Sequence, residues 1–208
     1  VVKRIVDGDA WIEVWRKHYR PIPFGKITVC PEWIKYDGDG EVVYIDSNMA
    51  FGTGEHETTA MCIKLIEKYL KPSDTVIDVG TGSGILGLAA AKLGAKSVIM
   101  TDIDPVAVEA ANRNAKLNKV DDVCKATLTN LLDGIVGAGD IVVANITAEV
   151  LAFLVKDIRS YVKEGGTVIL SGILNDRLEK VINAYEEAGL KTEETLTDGE
   201  WSAAVFKA

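Results

Sequence analysis

Residues 75–87, TVIDVGTGSGILG, constrain what this chain can fold into more than any other stretch. Val76, Ile77 and Val79 form a short β-branched run that reads as a buried strand. Gly80, Gly82 and Gly84 break it, and an Ala- and Leu-rich helical run follows to Leu93. The order is strand, glycine loop, helix. Glycines permit positive φ and close backbone approach, while N–H groups at the helix start face a ligand in the loop. A loop of this kind binds a nucleotide-like cofactor.

Gly82, Gly84 and Gly87 also satisfy the dinucleotide pattern G-x-G-x-x-G, so the glycines alone leave the cofactor open. Two acids tilt the choice. Asp78 stands just before the loop, where a carboxylate repels a pyrophosphate and attracts a cation such as the sulfonium and ammonium of S-adenosylmethionine. Asp102 closes the next apolar run, Ser97–Thr101, 22 positions after Gly80, where an acid accepts hydrogen bonds from ribose hydroxyls. Ile103 beside it covers an adenine face. The bland alternative is a tight strand-to-helix turn with a surface Asp.

From residue 75 onward, strand and helix signals alternate. Strands are expected at 75–79, 97–101, 122–128, 140–144 and 167–171, with helices to Leu93, at 105–118, 148–161 and 175–188. Pro105 fits a first helical turn. Repeated βα units imply an α/β fold: a doubly wound, mainly parallel, Rossmann-like sheet covered on both faces. The last two strands, 192–196 and 201–206, are separated by the short turn 197–200 and suit an antiparallel hairpin. Earlier in the chain, 26–30 and 41–45 flank the polar turn DGDG and read as a small hairpin. A helix is expected from Glu57 to Leu70, ended by Pro72. Trp11, Trp15 and Tyr19 recur at i, i+4, i+8, on one face of a short N-terminal helix that either packs on the main body or docks substrate.

At 208 residues and 48% hydrophobic content the chain suits one domain, and its net charge of −8 argues against a nucleic-acid surface without hindering a basic protein or amine substrate. Cys30, Cys62 and Cys124 are far apart and lack metal-ligand spacing, so they read as thiols in a reducing compartment. No apolar run is long enough to span a bilayer, which needs about 20 residues. The expectation is a cytoplasmic protein without metal.

In a doubly wound sheet the ligand lies beyond the C-terminal strand ends, which selects Gly80–Gly84, Asp102–Asp104, Leu128–Asn130 and Asn145–Thr147. The Asn145 amide offers a donor and an acceptor near a reacting group, or caps a loop. His56, between Glu55 and Glu57, reads either as a general base or as a helix-start surface residue. Thr58 and Thr59 either fill the first turn or bind a carboxylate.

The runs AFGTGEHETT, DVGTGSGILGLAAAKLGA, TDIDPVAVEAANRNAKLN and VVANI closely resemble the bacterial methyltransferases that modify the eleventh protein of the large ribosomal subunit. WIEVWRKHYRPIPFGKITVCPEW resembles that family's connector and domain start, and GEWSAAVF its C-terminal strand. The resemblance implies a seven-stranded methyltransferase sheet over 27–208, preceded by a connector over 1–26. It implies S-adenosylmethionine contacts at Thr59, Gly80, Asp102 and Asn145, with the Phe51–Gly54 loop folding over the cofactor; Gly82 and Ile103 join them from the loop and adenine readings above. The activity it implies is methylation of lysine side chains and the N-terminal α-amine of a basic ribosomal protein; Asn145, whose oxygen can accept hydrogen bonds from the amine and aim its lone pair, is the expected catalytic residue. The family places a recognition domain before the connector, whereas ten residues precede Trp11, so the resemblance implies the catalytic part alone. Thr147 stands where the family more often has an aliphatic residue. Related glutamine methyltransferases carry Asn-Pro-Pro-aromatic here; Asn145-Ile146-Thr147-Ala148 implies a roomier pocket. The competing readings are a small-molecule amine methyltransferase, a nicotinamide oxidoreductase resting on Gly82–Gly87, and a silent cofactor-binding module.

Overall fold

Apolar residues alternate along the central strands, so each strand feeds two cores. In the computed structural model, which describes residues 20–46 and 57–208, Val76, Ile141, Val143 and Ile169 enter one cluster, while Ile77, Val79, Val142 and Val168 enter the other. These strands are β4 (Thr75–Val79), β5 (Ser97–Asp102), β6 (Cys124–Leu128), β7 (Gly139–Asn145) and β8 (Val162–Leu174), followed by β9 (Lys191–Asp198) and β10 (Trp201–Lys207). Their order across the sheet is β6-β5-β4-β7-β8-β10-β9. Strands β4 to β8 pair in parallel, and β10 lies antiparallel between β8 and β9. The expected C-terminal hairpin is present, and it interleaves rather than adding two strands in succession.

One face is covered by α1 (Glu57–Tyr69), α2 (Ile85–Lys92) and α3 (Pro105–Leu117). The other is covered by α4 (Ala148–Leu154), α5 (Ile158–Tyr161) and α6 (Leu178–Glu187). Asp104 caps α3, its carboxylate accepting from Val106 N–H at 2.8 Å, and Pro105 occupies the first turn as its fixed φ favours. The single helix expected over 148–161 is two. Tight turns, with Lys156 N–H bonded to Phe153 O and Asp157 N–H to Leu154 O, interrupt it without any glycine or proline.

A three-stranded sheet precedes the main one: β1 (Ile22–Phe24), β2 (Ile27–Pro31) and β3 (Glu41–Ile45). Here the hairpin expectation is corrected, because β2 and β3 are parallel, with Ile27 opposite Glu41 and Pro31 opposite Ile45. The chain reverses twice between them. Ile34 N–H bonds Pro31 O directly after β2, and the DGDG turn then brings Glu41 N–H to Lys26 O. Two reversals restore the original direction. The antiparallel partner of β2 is β1, inside the stretch read as connector and joined through Gly25 at φ +62°. Trp11, Trp15 and Tyr19 lie outside the described residues, as do Phe51 and His56. No helix among the described residues is long and apolar enough to cross a membrane.

Candidate active site

The chain leaves β4 outward to β5 and β6, then returns to the other side of β4 through β7. The switch of direction therefore falls between β4 and β7, whose C-terminal ends open a crevice. Gly80 follows one strand and Asn145 ends the other. Gly80 has φ +70°, and a Cβ there would meet Ile146 Cγ2 at 2.5 Å. Only glycine lets the two strand ends approach so closely.

The glycine loop spends its own amides. Gly80 and Thr81 N–H both bond Thr101 O, at 2.8 and 2.9 Å, and Gly84 N–H bonds Thr81 O at 2.9 Å. Gly82 N–H goes to Asp102 Oδ2 at 2.9 Å, and Gly87 N–H to Asp78 Oδ2 at 3.0 Å. The expectation that helix-start amides are offered to a ligand is corrected at Gly87. A pyrophosphate needs such donors. With these amides committed to protein acceptors, the loop suits a ligand held by shape and by acceptors.

Asp78 also differs from its sequence reading. It is buried beneath the loop instead of lining the crevice, and its Oδ2 takes Thr81 Oγ1–H at 2.5 Å as well as Gly87 N–H. Its Oδ1 is buried without a hydrogen-bond partner. Burial pushes the carboxyl up from 3.8 to about 6, against the two hydrogen bonds, with Asp102 adding a smaller push upward. A carboxyl whose folded value is raised favours folding fully below about pH 3.8, and that contribution fades as pH rises through 6. Asp78→Asn keeps one acceptor oxygen and removes the titration. Relative to wild type, the variant should therefore gain about 3 kcal/mol in stability between pH 3.8 and 7. Urea unfolding at several pH values checks this, and parallel stability profiles would contradict it.

Beside the loop lies a cavity of about 570 Å³, within the usual size of a cofactor site. Gly80, Asp102 and Ile103 line it, as expected from sequence. Asp102 Oδ1 accepts from Asp104 N–H at 2.9 Å and Oδ2 from Gly82 N–H, so the carboxylate is fixed while lone pairs remain for a ligand. Ile103 is 70% exposed over the cavity. Asn130 and Leu131, just past β6, and Ile146, Val150 and Phe153, at the start of the β7–α4 unit, complete the walls. Sequence reasoning weighed Asn130 and Ile146 by position and missed Leu131, Val150 and Phe153. Val150 and Phe153, three apart on α4 and respectively 37% and 61% exposed, carried a signal as apolar residues directly after a strand end.

Asn145 and Thr59 stand together next to this cavity without lining it, with Asn145 Nδ2 donating to Thr59 Oγ1 at 3.4 Å. Thr59, in the first turn of α1, is buried. Opposite Asn145 on β8 is Ser171, whose carbonyl accepts Ile146 N–H at 3.2 Å. Gly172, at φ +80°, lets β8 pass so near the Ile146 peptide that a Cβ would lie 2.6 Å from its carbonyl oxygen. Gly82 is held from the cavity side by Asp102 and does not line the cavity. The site is thus an apolar cleft with one fixed carboxylate and the Asn130 amide on its wall, the Asn145–Thr59 pair next to it, and a closely packed strand crossing behind.

The cleft can be compared with known proteins. A sequence model of the family described as ribosomal protein L11 methyltransferase (PrmA) matches residues 1–208. The ribosomal protein L11 methyltransferase of Clostridium perfringens is 48% identical over 202 residues, 96% of this chain and 64% of that protein. That of Bacillus cytotoxicus is 46% identical over 204 residues, 96% of this chain and 65% of that protein. The chain thus spans just under two thirds of the length of these relatives. The crystal structure of ribosomal protein L11 methylase from Lactobacillus delbrueckii subsp. bulgaricus is 38% identical, with a TM-score of 0.86 over 91% of this chain and 98% of that one. With the strand order, the glycine loop and the whole length of the sequence in agreement, the chain belongs to the ribosomal protein L11 methyltransferase family.

Proposed function

We propose that this chain binds S-adenosylmethionine in the cavity at the β4–β7 switch and transfers methyl groups to lysine and N-terminal amines of a large-subunit ribosomal protein, the substrate its relatives are named for. The observation that carries the cofactor is the placement of Asp102 between apolar walls beside a loop whose amides are taken by protein acceptors. The Asp102 carboxylate accepts from the ribose hydroxyls, Ile103 and Leu131 flank the adenine, and Asn130 offers its edge an amide. Gly80 lets the methionine part reach Thr59 and Asn145. Phe51 belongs to the same reading through the resemblance of its loop. The fit is chemical as well as spatial: the net charge of −8 and the Asp102 carboxylate on the cavity wall favour a cationic cofactor and a basic protein substrate over a polyphosphate.

The bound cofactor supplies an electrophilic methyl on a sulfonium, and the remaining work is positioning. A lysine, with a free pKa of about 10.4, must arrive as the neutral amine, and an apolar cleft helps strip its proton. Asn145 turns Nδ2 to Thr59, which presents Oδ1 to the amine hydrogens and aims the nitrogen lone pair. Ile146 and Thr147 leave room for an amine that grows with each methyl.

Calorimetry with S-adenosylmethionine and NAD, followed by mass spectrometry of the ribosomal protein, tests the proposal. S-adenosylmethionine should bind and NAD should not. Asn145→Ala should slow methyl transfer on the order of 100-fold while changing cofactor affinity only a few-fold. Equal losses in rate and affinity would leave Asn145 a binding residue.

A further inference from the structure

Asn114 and Asn118 stand one turn apart on the buried side of α3, and their amides serve different elements. Asn118 accepts Tyr44 N–H at 2.7 Å and donates to Tyr44 O at 2.7 Å, which docks β3 on the helix. Asn114 has no exposed surface; it donates to Ser83 O of the glycine loop at 2.8 Å and accepts Asp46 N–H at 2.9 Å. It therefore joins the glycine loop to the end of β3. Arg113 Nε stands 3.4 Å from Asp46 Oδ2 and strengthens the same corner. The helix backs the loop sterically too, since a Cβ on Gly84 would lie 3.2 Å from both Ala111 Cα and Ala111 Cβ.

A buried amide satisfied at both ends by backbone acts as a strut of fixed length. The loop's other anchors, Thr101 O, Asp102 and Asp78, lie on the sheet side. Asn114 holds it from the helix side. Without that strut, the loop is held from the sheet side alone and can tilt about those anchors, and small displacements of binding groups are costly.

We propose that Asn114 is a positioning residue for the cofactor: it fixes the height of the glycine loop over the cavity, a role distinct from its share in stability. The inference rests on the cofactor binding proposed above. Asn118 is its control, because it is also buried on the same helix and makes no bond to the loop. Melting temperature, S-adenosylmethionine affinity and amide hydrogen exchange are to be measured for wild type, Asn114→Ala, Asn114→Asp and Asn118→Ala.

Both alanine variants should lose comparable melting temperature. Asn114→Ala should weaken cofactor binding about tenfold, the loss of one hydrogen bond's worth of positioning, whereas Asn118→Ala should stay within about twofold. Asn114→Asp keeps an acceptor for Asp46 N–H but sets an oxygen against Ser83 O, so it should lose affinity like the alanine variant even if the latter folds poorly. Exchange at Thr81 and Gly82 should accelerate in the Asn114 variants only. Wild-type affinity and exchange in both Asn114 variants, or equal losses in Asn118→Ala, would overturn the role. The exchange readout needs no ligand, so it tests the hold of Asn114 on the loop even if wild type fails to bind S-adenosylmethionine, a result that would sink the cofactor reading and the positioning role together.

Discussion

Asp102→Ala should weaken S-adenosylmethionine binding by about 100-fold, the combined loss of charge-assisted hydrogen bonds worth roughly 3 kcal/mol. The carboxylate does two things at once. It stops the Gly82 amide and the Asp104 amide, and it faces the cavity where the ribose is proposed to lie. Removing it takes away the sugar's acceptor and leaves the loop's central amide without its partner, which loosens the loop as well. Asp102→Asn retains one acceptor oxygen and should fall between the alanine variant and wild type. Calorimetry distinguishes the three. A change of less than threefold in Asp102→Ala would place the sugar elsewhere.

Gly172→Ala should lower stability by about 3 kcal/mol, a fall in melting temperature of roughly 10 °C for a domain of this size. Two penalties combine. The left-handed conformation at φ +80° costs an alanine about 1–2 kcal/mol, and the new Cβ would lie 2.6 Å from Ile146 O and 3.1 Å from Ile146 N, atoms that no rotamer change can move. Relief requires shifting the Ile146 peptide, and Asn145 is bonded to it. Methyl transfer should therefore fall further than the remaining folded fraction explains. Gly199→Ala separates the two penalties, because Gly199 has φ +57° and a Cβ there would meet nothing within 4 Å. Equal destabilisation in both variants, read by thermal unfolding, would show that the strand crossing tolerates the methyl.

The parts of the fold that were legible in sequence are those where one residue type has one use. The β-branched run 76–79, the glycines after it and the acid 22 positions on each have few alternatives, and they land at the switch point with Asp102 and Ile103 on the cavity. The parallel pairing of β2 and β3 was not legible, because DGDG signals a reversal without disclosing that Pro31–Ile34 has already made one. Nor was the break between α4 and α5, which carries no glycine or proline and depends on local turns packed against β8. The far cavity wall was hidden for a different reason. Val150 and Phe153 repeat at helical spacing, which reads as a core-facing stripe, yet they point to the cleft and remain partly exposed. Asn114 was hidden among polar helix residues, since periodicity cannot tell a solvated Asn from one bridging two backbone groups.

The reversed strand β10 sits between β8 and β9, so β9 has no neighbour in the sheet until β10 exists. During synthesis, 191–198 leave the ribosome before β10, the strand they pair with among the described residues, and β8, which carries Ile169 and Leu170, meanwhile presents an open edge. Closure of the sheet is thus deferred to the emergence of 201–207. A nascent chain of this fold has a window in which chaperone capture or mispairing competes with completion, and that window ends with the last strand.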